Sequence, residues 1–415
     1  MSRPHIVIVG AGFGGVYTAK YLLPYVQKKM IDVTLVSRTN YFLFTPLLHE
    51  VATGRLRPTS ISESLREIFK NTGVKIYQSE IKSIDTKSQK ITAENSNISY
   101  DYLVIATGAQ TNYYGIPGAL EYTFSLKNLI DAVNIREKII NSFEKSILTE
   151  NEEEKKRLLS FVVVGGGATG VETVCEMAEM VNEIKNKYYK KIYNIPNVLV
   201  TLINTDKEIL KPFHPKIRKI AEERLKRIGV NLLSNTKVSS LEAGKVNFSD
   251  GNFILAETII WAAGVTPTIP KFLETEVEFL SGRIETNEYL EIKKIEKVFA
   301  IGDSANVQNG EKILPHPMLA QVATSQAKIL AKNIISKIKA EKLTPFYYKS
   351  KGNLISLGQW YAAGEIGGII ISGKFAWWVW RTVYLFKFNS WLKRIRIASE
   401  WTIDIFFTRD ITEII

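Results

Sequence analysis

The sequence predicts an α/β fold with two Rossmann-like domains, the second inserted in the first, followed by an amphipathic C-terminal segment. Two apolar, β-branched runs, at 6–9 and 161–164, each lead into a glycine-rich turn and a helical stretch. Such runs are typical of parallel strands buried on both faces. A third short apolar run, at 298–301, ends in a glycine and an aspartate, and six of the seven tryptophans lie beyond residue 359. These observations place two strand–turn–helix units before a distinct C-terminal segment.

The composition is that of a globular protein of two or three domains. The chain has 415 residues, of which 45% are hydrophobic and 23% are charged. Its one cysteine, Cys175, excludes a disulfide framework, a dithiol redox pair and a thiolate zinc cluster, because each needs at least two sulfurs. The four histidines (His5, His49, His214 and His316) are scattered, so no metal site is predicted. Redox chemistry would therefore require a bound organic cofactor.

The net charge of +12 favours anionic partners. No basic run is interleaved with aromatic residues, and no helix-turn-helix or zinc-finger spacing occurs, so no nucleic-acid partner is predicted. The N-terminal residues lead directly into the strand that begins at Ile6, which leaves no room for the apolar core of a signal peptide. We expect the start of the protein to remain in the cytoplasm.

The first glycine-rich turn has the spacing of a dinucleotide-binding loop, G-x-G-x-x-G. Gly10 permits the tight turn, Gly12 lets a pyrophosphate approach the backbone, and Gly15 allows close packing of the helix on the strand. Phe13 and Gly14 complete the loop. A glycine-rich turn without a ligand is the alternative, but the strand before it and the helix after it favour a dinucleotide.

The strand that follows, at 33–36, ends without the acidic residue that usually holds the adenosine ribose. Ser37 and Arg38 occupy this position. The serine hydroxyl can bind a ribose hydroxyl, and the arginine suits adenine or a phosphate. We therefore expect a weaker ribose contact here than the full pattern provides.

A second turn repeats this spacing with Gly165, Gly167 and Gly170, before a helical stretch at 171–181. Two such loops imply two dinucleotides placed face to face, the arrangement needed to pass a hydride between their rings. Asp303 ends the third apolar run. Its carboxylate suits the hydroxyl groups of a polyol chain, and a strand-end turn or helix cap is the alternative.

These motifs resemble the two-dinucleotide flavoproteins related to the disulfide reductases, and among them the type II NADH:quinone oxidoreductases. The similar stretches are 40–54, Ala106-Thr107-Gly108, 162–172, 261–265 with Gly264, Ile301-Gly302-Asp303 and 320–323. The resemblance implies FAD bound by the first and last segments, NADH bound by the middle one, and a membrane quinone as the acceptor. It also implies that Glu172 lies near the flavin and nicotinamide, that Ala320 and Gln321 line the flavin–quinone junction, and that Ile81 offers its backbone to adenine. Without the resemblance, Glu172 is a first-turn acid that favours the positive end of a helix.

The sequence departs from this family in two further places. The family's second glutamine is replaced by Ser325, and Gln326 comes one position late, a rotation of about 100° around a helix. Asn204 stands at the end of the strand at 200–203, where the family usually has glutamate. An amide does not repel a 2′-phosphate, so NADPH is predicted as an alternative to NADH.

The C-terminal segment combines tryptophans with basic residues at roughly helical spacing. The residues are Trp360, Trp377, Trp378, Trp380, Trp391 and Trp401, with Lys374, Arg381, Lys387, Lys393, Arg394 and Arg396. No stretch of 18 uncharged apolar residues occurs here, which argues against a transmembrane helix. The pattern predicts an interfacial helix on an anionic lipid surface, on the cytoplasmic face of the cell membrane. A helix packed on the protein body, or a dimer interface, is the alternative.

The chain is accordingly predicted to contain an FAD-binding domain (1–120 and 266–345), an NAD(P)H-binding domain (121–265) and a membrane-associating segment (346–415). The predicted activity is hydride transfer from NADH through FAD to a membrane quinone, without proton pumping. A soluble NAD(P)H-dependent flavin reductase with another acceptor, and a flavin-bound membrane sensor without catalysis, remain alternatives. A homodimer is a family expectation only.

Overall fold

The computed structural model describes residues 3–94, 96–193, 195–307, 316–350, 352–388 and 390–413. The chain forms two compact units. The first unit comprises Met1–Leu43, Ser62–Gln110 and Val265–Lys349, and the second comprises Phe44–Ile61, Thr111–Gly264 and Ser350–Ile415. The domain boundaries expected after residues 120, 265 and 345 stay a prediction. The compact units change at 110, 264 and 349, and residues 44–61 belong to the second unit although they interrupt the first in sequence.

The first unit contains most of the strands. These are His5–Val9, Asp32–Ser37, Tyr41–Leu43, Ser62–Ser64, Lys75–Gln78, Ile81–Asp85, Lys90–Ala93, Asn97–Ser99, Tyr102–Ile105, Val265–Pro267, Lys271–Leu273, Phe279–Leu280, Arg283–Thr286, Val298–Ala300 and Ala305–Val307. Its helices are Phe13–Gln27, Leu65–Ile68 and Ala320–Ile338, with a 3-10 turn at Gly302–Ser304. The strand Ala109–Thr111 crosses from the first unit into the second.

The second unit contains more helices. These are Leu48–Ala52, Ala119–Tyr122, Leu129–Leu148, Glu152–Leu158, Ala168–Ile184, Pro215–Arg227, Gly373–Leu385 and Trp391–Phe406, with a 3-10 turn at Thr45–Leu47 and a π-helical turn at Lys185–Tyr189. Its strands are Phe124–Ser125, Ser160–Val164, Leu199–Ile203, Val230–Leu233, Val238–Glu242, Lys245–Phe248, Phe253–Leu255, Thr258–Trp261, Asn353–Ser356, Ala362–Ile366 and Ile369–Ser372.

Each unit is built on a parallel sheet of five strands. In the first unit the order is Val298–Ala300, Tyr102–Ile105, His5–Val9, Asp32–Ser37 and Lys75–Gln78. In the second it is Phe124–Ser125, Thr258–Trp261, Ser160–Val164, Leu199–Ile203 and Val230–Leu233. The central strands are buried along nearly their whole length, as their apolar sequences predict. The carboxyl ends of parallel strands share one edge, so each sheet gathers the turns that follow its strands.

The helix that follows the first glycine turn contains a proline. It extends over Phe13–Gln27, with Pro24 inside its last turn. The proline lacks an N–H group of its own, yet its carbonyl accepts a hydrogen bond from the N–H of Lys28, so the last turn closes. In the second unit the highly charged helix Glu152–Leu158 is capped by the Asn151 side chain.

Candidate active site

The first glycine turn is held closed by backbone contacts that leave no space for a side chain at two of its positions. A Cβ atom on Gly15 would lie 1.8 Å from the carbonyl oxygen of Gly10. A Cβ on Gly10, whose φ is +103°, would lie 2.3 Å from the carbonyl oxygen of Ala106. Gly12 differs, because a Cβ there would meet no atom within 4 Å. The turn is therefore packed on its inner side and open at Gly12.

This open side fits a pyrophosphate. The helix Phe13–Gln27 begins after Gly12 without a side-chain cap, so its N-terminus is available to an anion. Behind the turn, Phe13 packs edge-on against Phe42, with ring centroids 5.0 Å apart, and Gly14 lies against the Ile301 side chain. The residues present match the requirements of FAD at this position.

The predicted FAD residues follow the strands of the first sheet at their carboxyl ends. They are Gly10, Gly12, Phe13, Gly14 and Gly15 after the central strand, Ser37 and Arg38 after the next, Ala106, Thr107 and Gly108 after the third, and Gly302 and Asp303 after the edge strand. Thr107 donates its hydroxyl to the carbonyl of Thr268, and the Gly108 carbonyl accepts the Thr268 N–H at 2.9 Å. The structure thus brings residues that are distant in sequence, from Gly10 to Asp303, to one sheet edge.

The expected ribose and adenine positions have local partners. The Ser37 hydroxyl oxygen accepts a hydrogen bond from the Thr39 N–H at 3.3 Å, which stabilises the turn after the strand. Arg38 is exposed and lies 3.8 Å from the Glu80 carboxylate. Ile81 begins the strand Ile81–Asp85 and is partly buried.

The shifted glutamine has a structural position in the first unit. Gln326 is buried, and its Oε1 accepts the backbone N–H of Gly302 at 2.7 Å, so it fixes the turn that precedes Asp303. Ser325, which replaces the family's second glutamine, donates its hydroxyl to the Gln321 carbonyl at 2.7 Å. Ala320 and Gln321 form the first turn of the helix Ala320–Ile338, and both are partly exposed.

The second glycine turn repeats the geometry of the first. A Cβ on Gly170 would lie 1.8 Å from the Gly165 carbonyl oxygen, and one on Gly165, whose φ is +119°, would lie 2.5 Å from the Ala262 backbone. Gly167 faces open space, and the helix Ala168–Ile184 begins after it without a side-chain cap. These features fit a second pyrophosphate, as NADH requires.

Asn204 is turned towards the glycine turn. Its Oδ1 accepts the Gly166 N–H at 3.3 Å, and its Nδ2 donates to the carbonyls of Asp206 and Glu208 at 2.8 and 3.1 Å. The residue is buried. A side chain with these partners braces the loop, and the tolerance of NADPH expected from this amide stays a prediction.

Gly264, on the neighbouring turn of the same sheet edge, is covered by an aromatic ring. A Cβ at this position would lie 2.1 Å from the Tyr114 hydroxyl oxygen, and that hydroxyl is 3.4 Å from the Ala263 carbonyl. Only a glycine fits here while Tyr114 keeps this position.

The helix Ala168–Ile184 follows the second glycine turn, and we call each glycine turn with the start of its helix a glycine cradle. This helix carries four glutamates on one face, Glu172, Glu176, Glu179 and Glu183. Glu172 is the first of them, and 12% of its side chain is exposed. Its Oε1 accepts the Ser356 N–H at 3.1 Å, and its Oε2 lies 3.9 Å from Nδ1 of His49. Burial raises the pKa of Glu172 to about 8, although the Ser356 hydrogen bond acts in the opposite direction. Glu172 therefore holds a proton at neutral pH.

A second buried carboxyl group was missed in the sequence. Glu50 accepts a hydrogen bond from Nε1 of Trp401 at 2.6 Å. Burial raises the pKa of Glu50 to about 7, while Arg381 and the Trp401 bond act to lower it. Arg381 lies between the rings of Trp377 and Trp401, 3.7 and 4.7 Å from their centroids. Burial lowers the pKa of His49, beside Glu50 in sequence, to about 4, so this ring is neutral at pH 7.

The remaining glutamates of the helix are neutralised by arginines distant in sequence. Arg55 pairs with Glu176 and, at 2.7 Å, with Glu179. Arg409 pairs with Glu176 at 3.1 Å and with Glu183 at 3.0 Å. Burial alone would raise the pKa of Glu176, but the two arginines override this effect and hold it well below its usual range. Glu172 is distinct because no arginine is paired with it in the described part of the chain.

The expected set of lipid-facing side chains is only partly correct. Trp377, Trp380 and Trp401 are buried, and so is Arg381, because these side chains pack on one another and around Glu50. Trp378 and Trp391 are 51% and 63% exposed. The same two helices carry further exposed apolar residues: Phe375 and Val383 on the helix Gly373–Leu385, with Phe386 following it, and Leu392, Ile395, Ile403 and Phe406 on the helix Trp391–Phe406, with Phe407 following it. We call this set the aromatic surface. Across the described residues, no helix is both long enough and apolar enough to cross a bilayer.

Comparison with known proteins places these features in a family. Residues 4–327 match the pyridine nucleotide-disulphide oxidoreductase family, and residues 350–410 match the NDH2 C-terminal domain. The structure of NDH2 from Plasmodium falciparum in complex with NADH is similar over 99% of this chain and all of that one, with a TM-score of 0.89 and 26% identity. This chain belongs to the type II NADH:quinone oxidoreductases.

Similar members of the family come from distant organisms. A probable NADH dehydrogenase of Dictyostelium discoideum is 31% identical over 98% of this chain and 90% of its own length. The type II NADH:quinone oxidoreductase Ndh of Mycobacterium tuberculosis is 29% identical over 98% of this chain and 89% of its own. Membership of this family confirms the fold class, the enzyme class and the pair of cofactors, FAD and NADH, that the sequence predicts for this chain.

Proposed function

We propose that this chain oxidises NADH and reduces a membrane quinone through bound FAD. The observation that carries the proposal is the presence of two glycine cradles of the same geometry on two parallel sheets, in a chain that ends in the NDH2 C-terminal domain. The overall reaction joins NADH, one proton and a quinone to give NAD⁺ and a quinol. When bound, FAD accepts a hydride from the nicotinamide and passes two electrons to the quinone.

Each cradle binds and orients one dinucleotide. Gly12 and Gly167 leave their backbones open to a pyrophosphate, and the uncapped helix N-termini behind them supply N–H donors. Asp303, on the turn fixed by Gln326, offers its carboxylate to the ribityl hydroxyls. Gln321 is assigned to the quinone side through the family resemblance, and its helix position leaves it partly exposed.

Glu172 holds the proton that the reaction consumes. Its carboxyl is protonated at neutral pH, because its pKa is about 8, and the Ser356 N–H orients it through Oε1. Glu50 is a second carboxyl of raised pKa in the same unit, and its charge raises the pKa of Glu172 further.

Anaerobic stopped-flow mixing tests the proposal. The purified protein should be yellow, NADH should bleach the flavin absorbance, and a quinone analogue should then restore it. A colourless protein that cannot be reconstituted with FAD would contradict the proposal. Bleaching without reoxidation by quinone would instead favour a flavin reductase with another acceptor.

Gln321→Ala tests the assignment of the quinone side. We expect slower reoxidation by quinone and an unchanged rate of bleaching by NADH. Ser325→Ala serves as the control on the same helix, because its hydroxyl bonds only the Gln321 carbonyl among the described contacts. Equal losses in both half-reactions would contradict the role of Gln321.

We propose further that the aromatic surface lies on the cytoplasmic face of the membrane. Exposed rings of Trp378 and Trp391 suit the headgroup region, and the overall charge of +12 favours anionic lipid. Burying the exposed apolar side chains of both helices in lipid would release them from water. This location also gives access to a quinone dissolved in the bilayer.

Vesicle sedimentation tests this surface. Phe375→Ser with Trp391→Ser should release most of the protein from vesicles that contain anionic lipid, while Phe279→Ser, which removes an exposed ring of the first unit, should not. The molecular size of the same variants, measured in solution without vesicles, shows whether the surface instead joins two copies of the chain. A change from dimer to monomer without a change in vesicle binding would assign the surface to the homodimer expected from the family.

A further inference from the structure

The loop at 112–115 lies against the carboxyl end of the strand Thr258–Trp261, within the second unit. The backbone N–H of Asn112 donates to the Gly264 carbonyl at 3.0 Å, and the Asn112 carbonyl accepts a hydrogen bond from Nε1 of Trp261 at 2.8 Å. Both partners of Asn112 belong to the stretch in which this strand ends. The loop is therefore fixed to the edge of the sheet at which the second glycine cradle lies.

Tyr114 is held on this loop in a position that packing does not explain. Its N–H donates to Oδ1 of Asn112 at 2.8 Å, and its φ of +53° lies in the left-handed region that large side chains rarely adopt. The residue is nevertheless 60% exposed, and its hydroxyl makes a long hydrogen bond, 3.4 Å, to the Ala263 carbonyl. An aromatic side chain gains most when it is buried, so an exposed one in a constrained conformation indicates a function for its open face.

The order of strands in the second sheet separates the two halves of a dinucleotide. Ser160–Val164, which leads into the glycine turn, lies between Leu199–Ile203 and Thr258–Trp261. In sheets of this type the pyrophosphate lies at the first turn, and the adenosine ribose lies beside the end of the next strand along the chain. That strand is Leu199–Ile203, which Asn204 follows. The nicotinamide half then falls on the other side of the turn, beside Thr258–Trp261, where Tyr114 lies.

We propose that the ring of Tyr114 packs against the nicotinamide ring of NADH and positions it for hydride transfer. The oxidised nicotinamide is a flat aromatic cation, which favours the face of a tyrosine ring. The end of the Tyr114 ring lies over Gly264, where no side chain separates it from the backbone. The inference rests on the proposed function, because it takes NADH as the ligand of the second glycine cradle, and it adds a residue that contacts the reacting end.

Isothermal titration calorimetry of the oxidised, flavin-loaded protein tests this contact with two ligands. NAD⁺ contains the nicotinamide ring and does not reduce the flavin, whereas ADP-ribose retains the adenosine, the pyrophosphate and the second ribose but lacks that ring. Tyr114→Ala should weaken NAD⁺ binding by about five- to tenfold, since the ring contact is lost, and should change ADP-ribose binding by less than about twofold. Tyr114→Phe keeps the ring, so its affinity for both ligands should stay within about twofold of the wild type.

Tyr122→Ala is the matched control, because it removes another tyrosine ring of the same unit, which is 41% exposed. It should leave the affinity for both ligands unchanged. Anaerobic stopped-flow mixing adds a second readout, in which Tyr114→Ala should raise the NADH concentration needed for half-maximal bleaching and lower the limiting rate. The flavin content, and the rate at which quinone reoxidises the reduced protein, should stay at wild-type values in all three variants.

Equal losses of NAD⁺ and ADP-ribose affinity in Tyr114→Ala would make Tyr114 a structural support of the loop and would overturn the proposal. Unchanged or tighter NAD⁺ binding, or a loss in Tyr114→Phe as large as that in Tyr114→Ala, would overturn it as well. A wild-type protein that bound neither ligand would contradict the assignment of NADH to the second glycine cradle itself. Normal binding of both ligands without quinone turnover would contradict only the proposed acceptor.

Discussion

The two glycine cradles have the same backbone geometry, but the helices that follow them differ in charge. The helix Phe13–Gln27 of the first unit contains no acidic residue, whereas Ala168–Ile184 of the second carries four glutamates on one face. In both cradles a Cβ on the third glycine would lie 1.8 Å from a carbonyl oxygen. We therefore expect the glycines to specify where a dinucleotide binds, and the residues of the helix to set the chemistry beside it. In the second unit the helix adds Glu172, a buried carboxyl group of raised pKa.

The largest expected effects come from adding a side chain to one glycine turn at a time. Gly15→Ala should abolish FAD binding, because its Cβ cannot avoid the Gly10 carbonyl without a shift of the backbone. Gly170→Ala should leave the flavin in place and slow its bleaching by NADH at least a hundredfold. Flavin absorbance per protein and stopped-flow bleaching measure the two outcomes.

Gly12→Ala and Gly167→Ala serve as controls for these substitutions. A Cβ at either position meets no protein atom within 4 Å, so the fold should be retained and any loss should reflect the dinucleotide. If Gly15→Ala and Gly170→Ala had the same effect on flavin content, the assignment of one cofactor to each cradle would be wrong.

Glu172→Gln should lower quinone-dependent turnover by about 10²–10⁴, the usual contribution of a positioned acid or base. In the wild type, the Glu172 proton is present below pH 8 and lost as the pH rises through about 8, so turnover should fall above this pH. The raised pKa also contributes stability that is complete below the usual pKa of 4.5 and is lost progressively between pH 4.5 and 8.

Steady-state rates from pH 6 to pH 9.5, with denaturant unfolding over the same range, measure both effects of Glu172. Glu183→Gln is a matched control on the same helix face, away from the carboxyl that holds the proton. A Glu172→Gln enzyme with wild-type turnover and the same alkaline decline would refute the proton-holding role.

Trp401→Phe should have a smaller effect, because it removes one hydrogen-bond donor from Glu50 and keeps most of the ring. The unfolding free energy should fall by about 1–3 kcal/mol, the cost of leaving a buried polar group unsatisfied. Since the Trp401 bond acts to lower the pKa of Glu50, its loss should move this pKa above 7. Urea titration measures the stability, and Trp391→Phe, exposed on the same helix, should change it by less than about 0.5 kcal/mol.

The smallest effect is expected at Asn204. Of its three side-chain hydrogen bonds, the one from the Gly166 N–H braces the glycine turn itself. Asn204→Ala should therefore raise KM for NADH and NADPH alike, by roughly fivefold, as the loss of about 1 kcal/mol at this turn predicts. The ratio of the two KM values should stay within about twofold of the wild-type ratio. A selective change for NADPH would show that Asn204 contacts the ribose instead.

The local sequence was sufficient to predict the two glycine cradles, but it was not sufficient to predict the network of charged residues around Glu172. The glycine turns, their strands and their helices lie within short stretches, so spacing and apolar runs identify them. Arg55 and Arg409 meet Glu176 across 121 and 233 residues, and Trp401 meets Glu50 across 351. No periodicity within one segment records such pairs, because they depend on the tertiary fold.

In the C-terminal segment, composition was likewise insufficient to predict which side chains are exposed. Its tryptophans and arginine suggested lipid contact throughout, yet Trp377, Trp380, Trp401 and Arg381 are buried. These side chains are buried against one another: the Arg381 guanidinium packs on the faces of Trp377 and Trp401, and Nε1 of Trp401 donates a hydrogen bond to Glu50. The four-glutamate spacing of the helix Ala168–Ile184, by contrast, was readable in the sequence, although its basic partners were not.

The membership of residues 44–61 and 350–413 in the second unit has a consequence for biosynthesis. Arg55 leaves the ribosome long before Glu176, and Arg409 follows Glu176 by 233 residues. Until Arg409 arrives, Glu176 lacks one of its two guanidinium partners, and a buried carboxylate short of a partner is unfavourable. The second unit should therefore reach its final packing only after Arg409 has left the ribosome, and nascent chains arrested before residue 409 should remain sensitive to protease there.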